Sequence, residues 1–294
     1  MAVILVVLMA SAGAALVAGA VAWALPNFDP TAPHASPKAV VATAVKETEA
    51  HPRLAAYVRE RVDPARLTGL ALTVALVLGI AGAIAVGALL VMVQSNAGLA
   101  RYDLGAANWG GTHASPTSTD FLRNVSLLGG TTCMILVALV AAVEEVRRTR
   151  TRAVIGFLTV VVGGQLILMN LTKFIVDRPR PDIHQLTGFS GSSFPSGHST
   201  TAAATFAAIA LLVGRGRSRK VKTLLAGGAA GIAVAVATSR VLLGVHWFTD
   251  VLAGLAMGWG WFALSSIAFG GRVLRFGRPA EVAEDASALV DATS

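Results

Sequence analysis

His246 and Asp250 stand four residues apart in the segment SRVLLGVHWFTD, residues 239–250. On a helix that spacing puts both side chains on one face, about one turn apart. A carboxylate so placed can accept a hydrogen from one imidazole nitrogen and leave the other free to attack an electrophile. It would also stabilise the positive charge that appears when the ring is phosphorylated, which is nucleophilic catalysis by histidine. Taken alone, the same pair also suits a structural contact within a helix.

A second candidate is FPSGHST, residues 194–200, which precedes the apolar run from Ala202 to Val213. Ser196 suits an N-cap, and Gly197 lets the backbone approach an anion closely. The free N–H groups and positive dipole end at a helix start form a phosphate site. His198, in the first turn, is suited to protonate a leaving oxygen as general acid. Lys173, Arg180 and Arg240 add positive charge. A phosphoryl group in transfer spreads negative charge over its equatorial oxygens, which fixed cations stabilise. Arginine grips two such oxygens with its planar fork. Asp177 and Asp182 are the other acids nearby, and no carboxylate pair has metal-ligand spacing, so no metal or other cofactor is expected. Histidines in opposite protonation states, His246 neutral and His198 charged, predict a bell-shaped pH–rate profile.

The elements that must carry these residues are membrane spans. Of 294 residues, 54% are hydrophobic and 14% charged, against about a quarter charged in soluble domains. Mean hydropathy is +0.67. Apolar runs of about 20 residues are what a helix needs to cross a bilayer. Seven occur, over 2–25, 67–94, 122–142, 153–173, 199–214, 223–243 and 247–269. The N-terminal run lacks a basic leader and is long for a signal peptide, which favours a spanning helix. Cys133 is the lone cysteine and excludes a disulfide framework. The net charge of +8 comes without a basic stripe interleaved with aromatics, so no nucleic-acid partner is expected.

Basic residues gather in the connections: Arg147, Arg148, Arg150 and Arg152; Arg215, Arg217, Arg219, Lys220 and Lys222; Arg272, Arg275 and Arg278. Alternating spans put all three clusters on one side, cytoplasmic by the positive-inside rule. The candidate site then faces the extracytoplasmic side of the cytoplasmic membrane. The N-terminus falls on that side too, unless the first segment does not span. The expected organisation is an all-α polytopic membrane bundle. Residues 1–66 form a hydrophobic helix and a cytoplasmic linker, amphipathic over 39–62. Residues 67–270 form a six-span core, and 271–294 a disordered cytoplasmic tail.

Lys-x6-Arg-Pro over Lys173–Pro181, Pro-Ser-Gly-His over Pro195–His198 and Ser-Arg-x5-His-x3-Asp over Ser239–Asp250 stand in that order. With these three motifs the chain resembles the type 2 phosphatidic acid phosphatase superfamily, which also includes bacterial acid phosphatases and vanadium haloperoxidases. The resemblance implies His246 as nucleophile, Asp250 as its orienting acid and His198 as general acid. Lys173, Arg180, Ser196, Gly197 and Arg240 would hold the phosphate. DRPRP contains two Arg-Pro pairs; the family spacing selects Arg180, with Arg178 able to share the role. The implied activity is metal-independent hydrolysis of a lipid phosphate or diphosphate, of phosphatidate, phosphatidylglycerol phosphate or undecaprenyl diphosphate type. A lipid phosphotransferase with the same intermediate, and a non-catalytic membrane binder or transporter, are the alternatives. Oligomeric state is not legible.

Overall fold

The computed structural model describes residues 1–24, 67–149, 153–215 and 217–273. The amphipathic segment expected over 39–62 and residues 274–294 of the tail expected to be disordered lie outside the described residues, while 271–273 of that tail continue the last helix. Those described form helices without strands. In chain order they are α1 (Ala2–Ala24), α2 (Leu67–Gln94), a 3-10 turn (Gly98–Tyr102), α3 (Asp103–Thr112) and α4 (Pro116–Leu127). Then come α5 (Thr131–Thr149), α6 (Ala153–Val176), α7 (Gly197–Gly214), α8 (Arg219–Leu242) and α9 (Phe248–Val273).

Among the described residues, Ala2–Trp23, Val154–Val176, Gly197–Gly214 and Arg219–Leu242 are each long and apolar enough to cross a membrane. Two bent pairs, Gly79–Gln94 with Gly98–Thr112 and Pro116–Leu127 with Thr131–Arg148, qualify jointly. Large apolar side chains such as Leu16, Ile84, Ile167 and Leu224 point outward, as expected where the solvent is lipid. The chain is an integral membrane helix bundle.

The expected third span, 122–142, is not one rod. It bends by 48° between α4 and α5, at Leu128-Gly129-Gly130, where hydropathy averages smoothly across two residues of low helix propensity. The stretch 95–121, expected as a connection, is largely helical. α4 begins there with a reciprocal capping box between Ser115 and Ser118 and with Pro116 in the first turn.

The buried core lies where α7, α8 and α9 meet, with Ala202, Ala203, Ala233, Val236, Ala237, Val241, Val251 and Leu255 in contact. Half of these residues are alanine, which lets the helices approach closely. α1 packs along α8 in the same manner: Gly227 faces the backbone of Ala15, Gly231 that of Ser11, and Gly19 faces Thr223. At one end of this pair Val3 and Val7 are buried with Leu242, Leu243 and Val245. At the other, the Arg219 guanidinium lies 4.2 Å from the centre of the Trp23 ring. α1 therefore runs antiparallel to α8, with its N-terminus beside the residues just before His246.

The opposite end of the bundle is tied by charge. Arg148 grips Glu145 with two hydrogen bonds of 3.1 Å, and Arg215 lies 3.5 Å from the same carboxylate. Glu145 is buried, so this cluster joins the end of α5 to the end of α7 by paired rather than isolated charge. The described basic clusters and the candidate site thus occupy opposite ends of α7 and α8.

Candidate active site

His246 is placed by a tight corner between α8 and α9. Gly244 has φ +68°, and a Cβ there would fall 2.5 Å from the carbonyl oxygen of His184. Only glycine fits a left-handed position so closely walled by backbone. The Leu186 N–H donates to Leu243 O at 2.9 Å, fastening the 177–193 loop against the corner. At the start of α9, the Trp247 N–H donates to Asp250 Oδ2 at 2.9 Å. Asp250 thereby caps its own helix while lying behind His246.

The imidazole of His246 is buried, with Nδ1 3.5 Å from Asp250 Oδ2. That separation allows strong electrostatic contact but is at the outer limit for a hydrogen bond. On the other side of the ring, Nε2 lies 3.2 Å from an NH1 of Arg180. A guanidinium N–H can only donate, so Nε2 presents its lone pair and the ring hydrogen resides on Nδ1, facing Asp250. Burial holds the His246 pKa down at about 4; Asp250 opposes this, while Arg180 and Arg240 reinforce it. The ring is therefore neutral at neutral pH.

Arg180 is held almost entirely by backbone. Its Nε donates to Gly191 O at 2.8 Å, NH1 to Val245 O at 2.7 Å, and NH2 to Ser190 O at 2.9 Å and Ser192 O at 3.2 Å. Burial lowers its pKa from the ordinary value, against the attraction of Asp250. Lys173, in the last turn of α6, donates to Ser192 O. The same loop thus holds both cations, which lie within electrostatic reach of each other and of Asp250.

The start of α7 is pinned beside them. The Ser196 N–H donates to the Asp250 carbonyl at 3.0 Å, and Ser196 Oγ occupies the capping position, accepting the Ser199 hydroxyl at 2.9 Å. The Ser199 N–H is 3.5 Å from it. Gly197 follows as the first helical residue, and a Cβ there would meet Met169 Sδ at 2.9 Å. His198 lies within electrostatic reach of Arg240, His246, Arg180 and Lys173. Arg240, buried near the end of α8, donates from NH1 to Ser126 Oγ at 2.7 Å, and its buried Nε has no partner among the described residues. A buried donor without an acceptor is costly, and an anion between Arg240 and His246 would supply one.

The structure thus gathers His246, Asp250, His198, Lys173, Arg180, Ser196, Gly197 and Arg240 at one end of the bundle. It treats the two arginines of DRPRP differently. Arg180 faces His246, whereas Arg178 faces away, donating from NH1 to Asp250 Oδ1 at 2.6 Å and to Thr249 Oγ1 at 2.9 Å. Arg178 NH2 reaches Asp103 Oδ2 at 2.7 Å. Asp103, at the first residue of α3, is an acid beside the site that sequence reasoning missed. Ser126, beneath Arg240, and Ser193, whose hydroxyl donates to Asp250 Oδ2, were missed as well. No motif flags them, since each is a common polar residue in a connection or bent span. Among the described residues, no group of three or more His, Cys, Asp or Glu side chains is arranged to hold a metal ion.

Residues 153–273 match the model of the PAP2 superfamily. Over 118 residues the chain is 43% identical to a lipid A 1-phosphatase of Rhizobium etli, covering 37% of this chain and 46% of that protein. Over 109 residues it is 40% identical to phosphatidylglycerophosphatase B of Bacillus subtilis, covering 35% and 52% respectively. The chain therefore spans about half the length of these curated relatives. A crystal structure of a transmembrane PAP2 type phosphatidylglycerolphosphate phosphatase from Bacillus subtilis aligns with a TM-score of 0.63 and 28% identity, over 67% of this chain and 98% of that one. The three motifs converge at the meeting of α6, α7, α8 and α9, inside the residues 153–273 that match the PAP2 superfamily.

Proposed function

We propose that this protein is a metal-independent phosphatase that hydrolyses a lipid phosphate or diphosphate ester through a phospho-histidine. The observation that carries the reading is the environment of His246, with its Nε2 lone pair directed at Arg180 and its Nδ1 backed by Asp250. An arriving phosphate oxygen takes over the Arg180 NH1 hydrogen bond and frees that lone pair. Nε2 then attacks phosphorus in line with the ester oxygen, forming an N–P bond as the P–O bond to the lipid breaks. His198 gives its proton to the departing oxygen. Lys173, Arg180 and Arg240, with the N–H groups at Gly197, meet the charge on the equatorial oxygens. Asp250 stabilises the positive phospho-imidazole. Water next attacks phosphorus and gives a proton to His198, and the N–P electron pair returns to Nε2 as phosphate leaves.

A lipid substrate is supported by the site's place at the end of membrane-spanning helices and by the phosphatase names of the relatives. The basic clusters at the other end of the bundle favour an orientation in the cytoplasmic membrane with the site extracytoplasmic. The test is phosphate release from micelles of phosphatidate, phosphatidylglycerol phosphate, undecaprenyl diphosphate and lipid A 1-phosphate in EDTA, wild type beside His246→Ala. The expected result is release by the wild type from at least one lipid and none by the variant. Full activity of His246→Ala would overturn the reading.

A further inference from the structure

Asp250 can orient His246 only if its own carboxylate is held still, and three residues without a motif role hold it. Oδ1 accepts from Arg178 NH1 at 2.6 Å, while Oδ2 is taken by the Trp247 N–H and the Ser193 hydroxyl. Arg178 is itself anchored by Asp103, whose Oδ2 accepts NH2 at 2.7 Å. Asp103 does more than balance charge. Its Oδ1 accepts the Thr249 N–H at 2.8 Å and its Oδ2 the Thr249 hydroxyl at 2.7 Å. It thus caps the start of α9 from another helix, one residue before Asp250.

Both acids are buried and Arg178 is 14% exposed in its side chain. A lone arginine between two buried carboxylates is committed to them, because releasing either would strand a charge. Its fork also fixes direction, with NH1 toward Asp250 and NH2 toward Asp103.

We propose that Asp103 and Arg178 are positioning residues for the His246–Asp250 pair, Asp103 holding the Arg178 guanidinium and the first turn of α9 so that Asp250 stays behind His246. The proposal rests on His246 being the nucleophile. Arg178 then acts through Asp250 rather than on phosphate, and its loss lowers turnover more than substrate binding.

The experiment uses the full chain in detergent, with the lipid of the panel that the wild type hydrolyses. Asp103→Asn, Arg178→Gln, Arg178→Lys and the Asp103→Asn/Arg178→Gln double variant are compared, with thermal unfolding as the check on folding. Each of the first two is expected to lower kcat on the order of ten- to hundredfold, part of what a positioned catalytic group supplies, with KM changed by less than about twofold. The double variant should fall little below the worse single one, since both act through one carboxylate. Arg178→Lys, which keeps the charge, should recover part of the loss and carries the test if the glutamine variant does not fold. Folded variants with unchanged kcat, or with KM raised and kcat retained, overturn the proposal while leaving the phosphatase reading intact. A fully active His246→Ala, or a wild type inert on the whole panel, overturns both.

Discussion

Arg180 lies with NH1 3.2 Å from Nε2 of His246, and the remaining guanidinium hydrogens are spent on backbone carbonyls of Ser190, Gly191, Ser192 and Val245. The arginine is thus preset over the nitrogen proposed to attack, by a scaffold that side-chain substitution elsewhere hardly alters. Preorganisation of this kind is what makes charge stabilisation effective, because no reorientation is needed as the reaction proceeds.

Replacing Arg180 should therefore be severe even when charge is kept. Arg180→Ala is expected to lower kcat/KM by about 10²–10³, the range for losing one preorganised donor to a developing oxyanion. Arg180→Lys should recover little, since an ammonium cannot satisfy four carbonyls and still reach phosphate. Steady-state phosphate release decides it; near-wild-type activity of the lysine variant would show that charge alone suffices.

The pH dependence follows from burial of His246. In the proposed mechanism the neutral ring is the nucleophile, and the folded protein holds its pKa at about 4, below the ordinary 6.5. Activity should persist as pH falls through 6.5 and disappear only as it falls through the lower value. In a profile of kcat/KM, which reports the free enzyme, removing the Arg180 charge by Arg180→Gln should move the acid limb upward, because that charge helps to hold the ring unprotonated. Substrate ionisation is common to both proteins and cancels in the comparison. A limb that stays put would exclude His246 as its source.

Gly254 sets the spacing of α7 and α9. A Cβ there would lie 2.6 Å from Ser196 O and 2.9 Å from Ser199 Cβ. Gly254→Ala must separate the two helix starts, costing about 1–3 kcal/mol by overpacking and moving His198 relative to His246. Both thermal stability and kcat should fall. Gly228, in α8, has nothing within 4 Å of a Cβ, so Gly228→Ala should be neutral or stabilising by up to about 1 kcal/mol. Equal effects of the two substitutions would refute the packing argument.

Ser126 supports Arg240 from beneath. Ser126→Ala would leave a buried, charged donor short of its acceptor, at a cost of about 1–3 kcal/mol. The guanidinium should loosen, and inhibition by inorganic phosphate should weaken on the order of tenfold. Competition assays against the lipid substrate measure this directly. An unchanged inhibition constant would mean that Ser126 does not orient Arg240 for the anion.

The two ends of α1 lend themselves to labelling. With Cys133→Ser as background, Ala2→Cys and Gly188→Cys should react with an impermeant maleimide from the same side of sealed vesicles, since Val3 packs beside Val245 at the site end. Labelling from opposite sides would contradict that packing.

Much of this site is legible in the chain because its parts are local. His246 and Asp250 are four residues apart across the start of α9, Ser196 to His198 form one helix start, and Lys173 and Arg180 flank one helix end. The spans expected over 2–25, 153–173, 199–214 and 223–243 were equally legible from apolar length. Those over 67–94 and 122–142 fall in bent pairs, and the one over 247–269 is not among the described helices long and apolar enough to cross. What escaped is non-local. Asp103 meets Arg178 across 75 positions and Thr249 across 146, and Ser126 meets Arg240 across 114. Such partners are chosen by the fold, and their residue types are too common in connections to announce themselves.

The small residues along α1 and α8 bear on how a substrate could arrive. Ser11, Ala15 and Gly19 meet Gly231, Gly227 and Thr223 with backbone nearly touching backbone, so the seam between these helices has no room for an acyl or prenyl chain. A phosphate tethered to a tail in the bilayer must come in along a different flank of the bundle, leaving α1 as a wall rather than a doorway.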